Sequence, residues 1–177
     1  SEHKRDFEEW VKNYSPRGVL TAYTVKNTDN LEQPLGLSFS YNDPGFAQPA
    51  GKLRIVKLPA FELETDQIAE VSLARRRYPI KYSGSAAVMG KFRKYRLTIP
   101  ADCKTVSLPE KFRLKNPYAS FTAGCRQETP SAIVCEQTLE RTAMTIPAKD
   151  YGVYKKFLET AAGYTKKQLF FIAGAEN

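Results

Sequence analysis

Histidine is almost missing from this chain: His3 stands alone among 177 residues. A Cys–His or Ser–His nucleophile needs an imidazole held against the attacking atom and a third group to orient it. His3 lies beside Glu2, Lys4 and Arg5, far along the chain from Cys103, Cys125 and Cys135. The expectation is an exposed surface histidine and a chain without catalytic residues of its own. Cysteine is scarce too, with three residues spaced 22 and 10 apart and no histidine near them, which does not fit a zinc site. No metal or cofactor is expected. No apolar run approaches the roughly 18 residues of a membrane span. The most apolar stretch, Gln168-Leu169-Phe170-Phe171-Ile172-Ala173, is strand-sized, and the charged start at Ser1–Asp6 has no signal-peptide core behind it. Phosphate-loop, dinucleotide, zincin and nucleophile-elbow motifs are lacking. Asp102, Glu110, Glu136, Glu140 and Asp150 are scattered among strands and turns, so nothing in the sequence sets up a carboxylate pair for glycoside chemistry.

Aromatic residues and positive charge are plentiful. Ten Tyr, ten Phe and Trp10 suit half-buried pleated surfaces, while 42% apolar and 26% charged residues are ordinary for a globular protein. A net charge of +8 permits attraction to polyanions without choosing among them.

Residues 2–14 read as a helix, because Phe7, Trp10, Val11 and Tyr14 recur at spacings of three and four. Ser15-Pro16-Arg17-Gly18 stops it, since proline cannot continue the ladder. Strand patterns follow at residues 19–26, 35–41, 52–58, 68–74, 77–82 and 91–99. Pro79 confines the fifth of these to an edge or a bulge. Residues 118–125 and 133–146 flank the turn signal Gln127-Glu128-Thr129-Pro130-Ser131 and predict a hairpin. Tyr151, Tyr154, Phe157, Leu158 and Ala161 define a helical stripe over 147–162, and residues 169–172 form a last strand. The expected fold is mostly β: a β-sandwich of about nine or ten strands with a short N-terminal helix and an amphipathic helix near the C-terminus. Residues 1–16 are taken as a linking helix and 17–177 as a single domain.

Two residue sets could carry function. Between Val71 and Ala101 lie Arg75, Arg76, Arg77, Lys81, Lys91, Arg93, Lys94 and Arg96, interleaved with Tyr78, Tyr82, Phe92 and Tyr95 and with no acidic residue. Such a mixture can bind single-stranded nucleic acid or another polyanion through phosphate contacts and stacking. Strand alternation would divide it between two faces, and a solvated sheet face with basic residues guarding an edge is the more common explanation, so nucleic acid is not the expected partner. The second set is Cys125 and Cys135, placed symmetrically about Pro130. They could form a disulfide across the hairpin or remain two buried thiols. A one-residue register slip separates the two cases, and the geometric demands of a disulfide tip the reading toward thiols.

Short motifs along most of the chain resemble a known family. Arg77-Tyr78-Pro79-Ile80 is followed by a strand and by Ile99-Pro100-Ala101-Asp102, then Ser107-Leu108-Pro109. Further on come Ile146-Pro147-Ala148-Lys149-Asp150-Tyr151 and Tyr154-Lys155-Lys156-Phe157; near the start stand Tyr23-Thr24-Val25-Lys26-Asn27, Asp29-Asn30-Leu31 and Pro34-Leu35. Together, from about residue 19 to 172, they resemble the C-terminal β-domain that follows a transglutaminase-like (papain-type) domain in multidomain bacterial envelope proteins. The resemblance implies a periplasmic or cell-surface location and a catalytic Cys-His-Asp set in a preceding domain. It also implies a non-catalytic accessory role, supporting or presenting substrate to that neighbour, with a peptide or glycan as ligand. No catalytic residue carries over onto this chain.

Overall fold

The computed structural model describes residues 2–30, 32–33, 35–57, 69, 71–83 and 90–173. It divides into two compact units, Ser1–Gln48 and Pro49–Asn177. The first unit holds α1 (Glu2–Tyr14), β1 (Val19–Lys26) and β2 (Gly36–Asn42), the two strands paired antiparallel. Of the stripe predicted on α1, Phe7 and Val11 are buried, whereas Trp10 and Tyr14 each stay 39% exposed. The Phe7 ring lies 5.1 Å from Trp10, 5.0 Å from Tyr23 and 5.5 Å from Phe39. Beyond the helix, buried Ser15 donates its hydroxyl to the Asp43 carboxylate, while the other Asp43 oxygen accepts the Gly45 N–H at 2.7 Å. These bonds tie the helix exit to the turn after β2, so residue 16 falls inside a compact unit.

The second unit carries the remaining strands. They are β3 (Ala47–Ala50, at which the chain enters this unit), β4 (Leu53–Val56), β5 (Ile80–Lys81), β6 (Gly90–Thr98), β7 (Cys103–Ser107) and β8 (Phe112–Lys115). After them come β9 (Ala119–Thr129), β10 (Ala132–Arg141), β11 (Thr145–Ile146), a 3-10 turn at Ala148–Asp150, α2 (Tyr151–Thr165) and β12 (Leu169–Ala173). One four-stranded sheet has the order β6-β10-β9-β8 and another β3-β4-β12-β7, while β11 pairs with β5. The fold is mostly β with a short N-terminal and a C-terminal helix, as expected, and among the described residues no sheet closes into a barrel.

Helix α2 is a clamp on the β6-β10-β9-β8 sheet. Tyr151, Tyr154, Phe157, Leu158 and Ala161 are all buried, and the stripe runs on to Tyr164. There Tyr164 stacks on Phe112 of β8 at 4.8 Å and meets Phe121 of β9 edge-on at 6.1 Å. Phe121, Ile133, Ile146, Leu158 and Leu169 are the fully buried centre.

Several strands differ from expectation. Where 68–74 reads as a strand, Val71–Ala74 run as turn and bend; of the rest of that stretch, Ile68 and Glu70 lie outside the described residues. Val71 is buried, and the Leu73 carbonyl accepts the Tyr151 hydroxyl at 2.8 Å and the Lys155 ammonium at 2.9 Å, so this backbone serves α2 instead of a ladder. The strand expected over 77–82 shrinks to β5 beyond Pro79. Strands β3, β7 and β8 have no counterpart in the sequence reading, although Phe112-Arg113-Leu114-Lys115 does alternate.

Candidate functional site

The β9–β10 hairpin sets the geometry of the largest sheet. Pro130 and Ser131 form a two-residue turn with Ala132 opposite Thr129. Continued unchanged, that register would put Cys135 opposite Arg126. Instead Ile133 pairs with Gln127, leaving Glu128 as the extra residue of a bulge, and Cys135 comes to lie opposite Cys125. The two are joined as a disulfide. The reading as two thiols is therefore corrected: a one-residue bulge, which symmetry about Pro130 does not reveal, places them face to face. Cys103 on β7 is a free thiol, its ionisation pushed up by burial first and then by Asp102.

The same registers sort the basic residues by face. Leu97, Tyr95, Arg93 and Lys91 on β6 stand opposite Ile133, Cys135, Gln137 and Leu139 of β10, on the face that carries Phe121 and Ala123 of β9. Lys94 and Arg96 point to the other face, together with Val134 and Glu136 of β10, Arg126 of β9, and Arg113 and Lys115 of β8. On this second face Lys94 pairs with Glu136 at 3.3 Å, and the Arg96 guanidinium donates to Glu128 at 2.8 Å. The Arg96 hydrogen bond, helped by Arg126 and Lys94, holds the Glu128 carboxyl below its usual range. Val134 is buried between Arg96 and Arg126 on the flanking strands, whose aliphatic stems can cover it. The remaining candidates lie elsewhere: Arg75 and Arg77 are exposed on the loop before β5, Lys81 is on β5, and the Arg76 guanidinium sits 5.9 Å from the Tyr151 ring. The eight cations therefore do not share one surface. Those on β6 split by alternation, and the acids that answer Lys94 and Arg96 lie 42 and 32 residues further along, respectively.

Three long-range tyrosine hydrogen bonds were not foreseen. Tyr82 donates its hydroxyl to Tyr154 at 3.1 Å, and the Arg141 guanidinium lies 3.3 Å from the Tyr82 ring centroid. Tyr118 donates to Asp150 at 2.6 Å, a bond that raises the phenol above its ordinary range. Tyr164 donates to the Glu110 carbonyl, and burial pushes its ionisation up to about 12. The partners are far apart in sequence, so no local pattern marks them. These contacts tie α2 and the turn before it to the strands and to the loop before β5.

A family model described as "Domain of Unknown Function with solved-structure structure (DUF3858)" matches residues 54–171. The chain belongs to the DUF3858 family. The match begins on β4 and ends on β12, wholly within the second compact unit. A crystal structure from Parabacteroides distasonis ATCC 8503, of a protein described as a "putative protease", is similar to the chain with a TM-score of 0.55 at 15% identity. The likeness covers 72% of this chain and 24% of that one, so the chain spans about a quarter of that protein's length. At that identity the likeness is one of fold. No curated protein matches. Within the DUF3858 unit, the motif residues Asp150 and Tyr151 are the ones that bond Tyr118 and the Leu73 carbonyl, so their part is structural.

Proposed function

We propose that the chain is a non-catalytic accessory domain of a larger transglutaminase-like or cysteine-protease-like bacterial protein, supporting that protein's catalytic domain and presenting substrate to it. The observation that carries this reading is one of proportion: the chain, which contains a DUF3858 match, corresponds in fold to about a quarter of a longer protein described as a "putative protease". The histidine count supports it: His3 is the one histidine of the chain, and two of the three cysteines are joined in a disulfide. That disulfide also favours a periplasmic or cell-surface location, because such bonds persist in oxidising compartments. Polyanion binding through residues 75–96 is less favoured, since these cations are dispersed over the loop before β5, β5 and both faces of β6 and do not form one continuous patch.

The test is the complete reading frame that encodes the chain, expressed and assayed for peptide hydrolysis and glutamine-directed amide exchange. A papain-type Cys-His-Asp domain in the same polypeptide, with turnover that disappears on replacing its cysteine, is the expected result. A reading frame confined to the DUF3858 unit would overturn the reading.

A further inference from the structure

We propose that the outer edge of β6 is a docking strand, taking an extended acidic peptide segment as a fifth strand of the β6-β10-β9-β8 sheet. Strand β6 is terminal in that sheet, and among the described residues β10 is its one ladder partner. The direction of its backbone groups follows from the hairpin. The Cys125 N–H donates to the Pro109 carbonyl at 2.9 Å, so Cys125 turns its backbone away from β10. Cys135, directly opposite, then turns its own toward β6, which makes Cys135 and Tyr95 a hydrogen-bonded pair. The Ile99 N–H, donated to Ser131 at 2.8 Å, obeys the same alternation. Phe92, Lys94, Arg96 and Thr98 therefore direct their N–H and carbonyl groups outward, and no hydrogen bond is found for those groups among the described residues.

Proteins commonly protect such an edge by shortening it, by a bulge, by proline or by charge. Strand β6 runs nine residues, pairs with β10 without a register shift and contains no proline. Charge is the device that remains. It acts selectively: a second β6 laid antiparallel would set Lys94 and Arg96 against cations of its twin, whereas an acidic strand would meet them favourably. On this face Lys94 and Arg96 are the cations carried by the edge strand itself, and although each meets a carboxylate they stay 50% and 58% exposed, within reach of an acidic strand laid alongside. The other face of β6 offers half-buried Tyr95 and Leu97. Phe92, 63% exposed, leaves the start of the edge open. The matching occupant alternates acidic with apolar residues, and is recognised through main-chain bonds with alternate side chains giving selectivity. The inference stands on the edge itself and holds whatever the catalytic neighbour proves to be.

The experiment is fluorescence anisotropy of the whole chain with a dye-labelled Glu-Val-Glu-Val-Glu-Val-Glu peptide. Two control peptides accompany it: the same sequence N-methylated at the bond-forming positions, and its Lys-Val counterpart. Phe92→Pro removes one outward donor while keeping the β10 ladder and every charge; Lys94→Glu with Arg96→Glu reverses the field. The acidic peptide should bind, with N-methylation and Phe92→Pro each weakening it about tenfold or more and charge reversal abolishing it. Three results would each overturn the proposal: no binding of the acidic peptide up to about 1 mM; equal binding of the N-methylated peptide, which means charge without strand addition; or self-association of the chain that Phe92→Pro removes.

Discussion

At the scale of the residue, the tyrosines behave as polar ends on an apolar body. Tyr164 is the most informative, with its ring between Phe112 and Phe121 and its hydroxyl on the Glu110 carbonyl. A tyrosine in the unfolded chain ionises near 10, and in the fold Tyr164 is held up to about 12. Its contribution to stability is therefore whole below about pH 10 and is lost as pH rises through about 12. Tyr164→Phe should flatten that alkaline decline, as read by denaturant midpoints measured across the window. Phe157 tests packing: it is buried beside Tyr154 with ring centroids 6.4 Å apart. Phe157→Ala should cost about 3–5 kcal/mol in urea unfolding. An unchanged midpoint would mean that α2 does not dock.

At the scale of the element, the β9–β10 hairpin shows what a sequence reveals and what it conceals. Alternation and the Thr129-Pro130-Ser131 signal made the hairpin legible, and the candidate pair Cys125 and Cys135 with it. The bulge at Glu128 was not legible, because its residue types are ordinary for a strand and its cause is the pairing itself. Yet the bulge decides whether the cysteines meet. Thiol titration of unfolded, unreduced chain should find one reactive thiol, Cys103, and three after reduction. Reduction should lower stability by about 2–3 kcal/mol, the entropy that so short a cross-link removes from the unfolded state. Gly124 on β9 is equally specific, since a Cβ there would stand 2.8 Å from the Lys111 Cα. Gly124→Ala should therefore destabilise the chain by about 1–3 kcal/mol, as overpacking against backbone does. The helices were legible because their stripes are long; β7 and β8 were not, because strands of five and four residues carry too little alternation to distinguish from loop.

At the scale of the whole molecule, the mostly-β fold could be read from the strand patterns, but the division into units could not. Residues 1–16 look like a linker because a single helix has no visible partner in sequence. In the structure Phe7 finds Tyr23 and Phe39, and α1 becomes part of a helix-on-hairpin unit that the DUF3858 match does not reach. The candidate site was half legible: the cations of β6 stood out in the sequence, whereas Glu128 and Glu136, which answer them, reach their places only through sheet register. The measurement that bears most directly on the account is turnover, on peptide and glutamine-donor substrates, by the 177-residue chain and by the product of the complete reading frame that encodes it. The account predicts none from the chain and activity from the complete polypeptide, abolished by substitution of the papain-type cysteine. Turnover by the chain alone, removed by a substitution within it, would contradict the account.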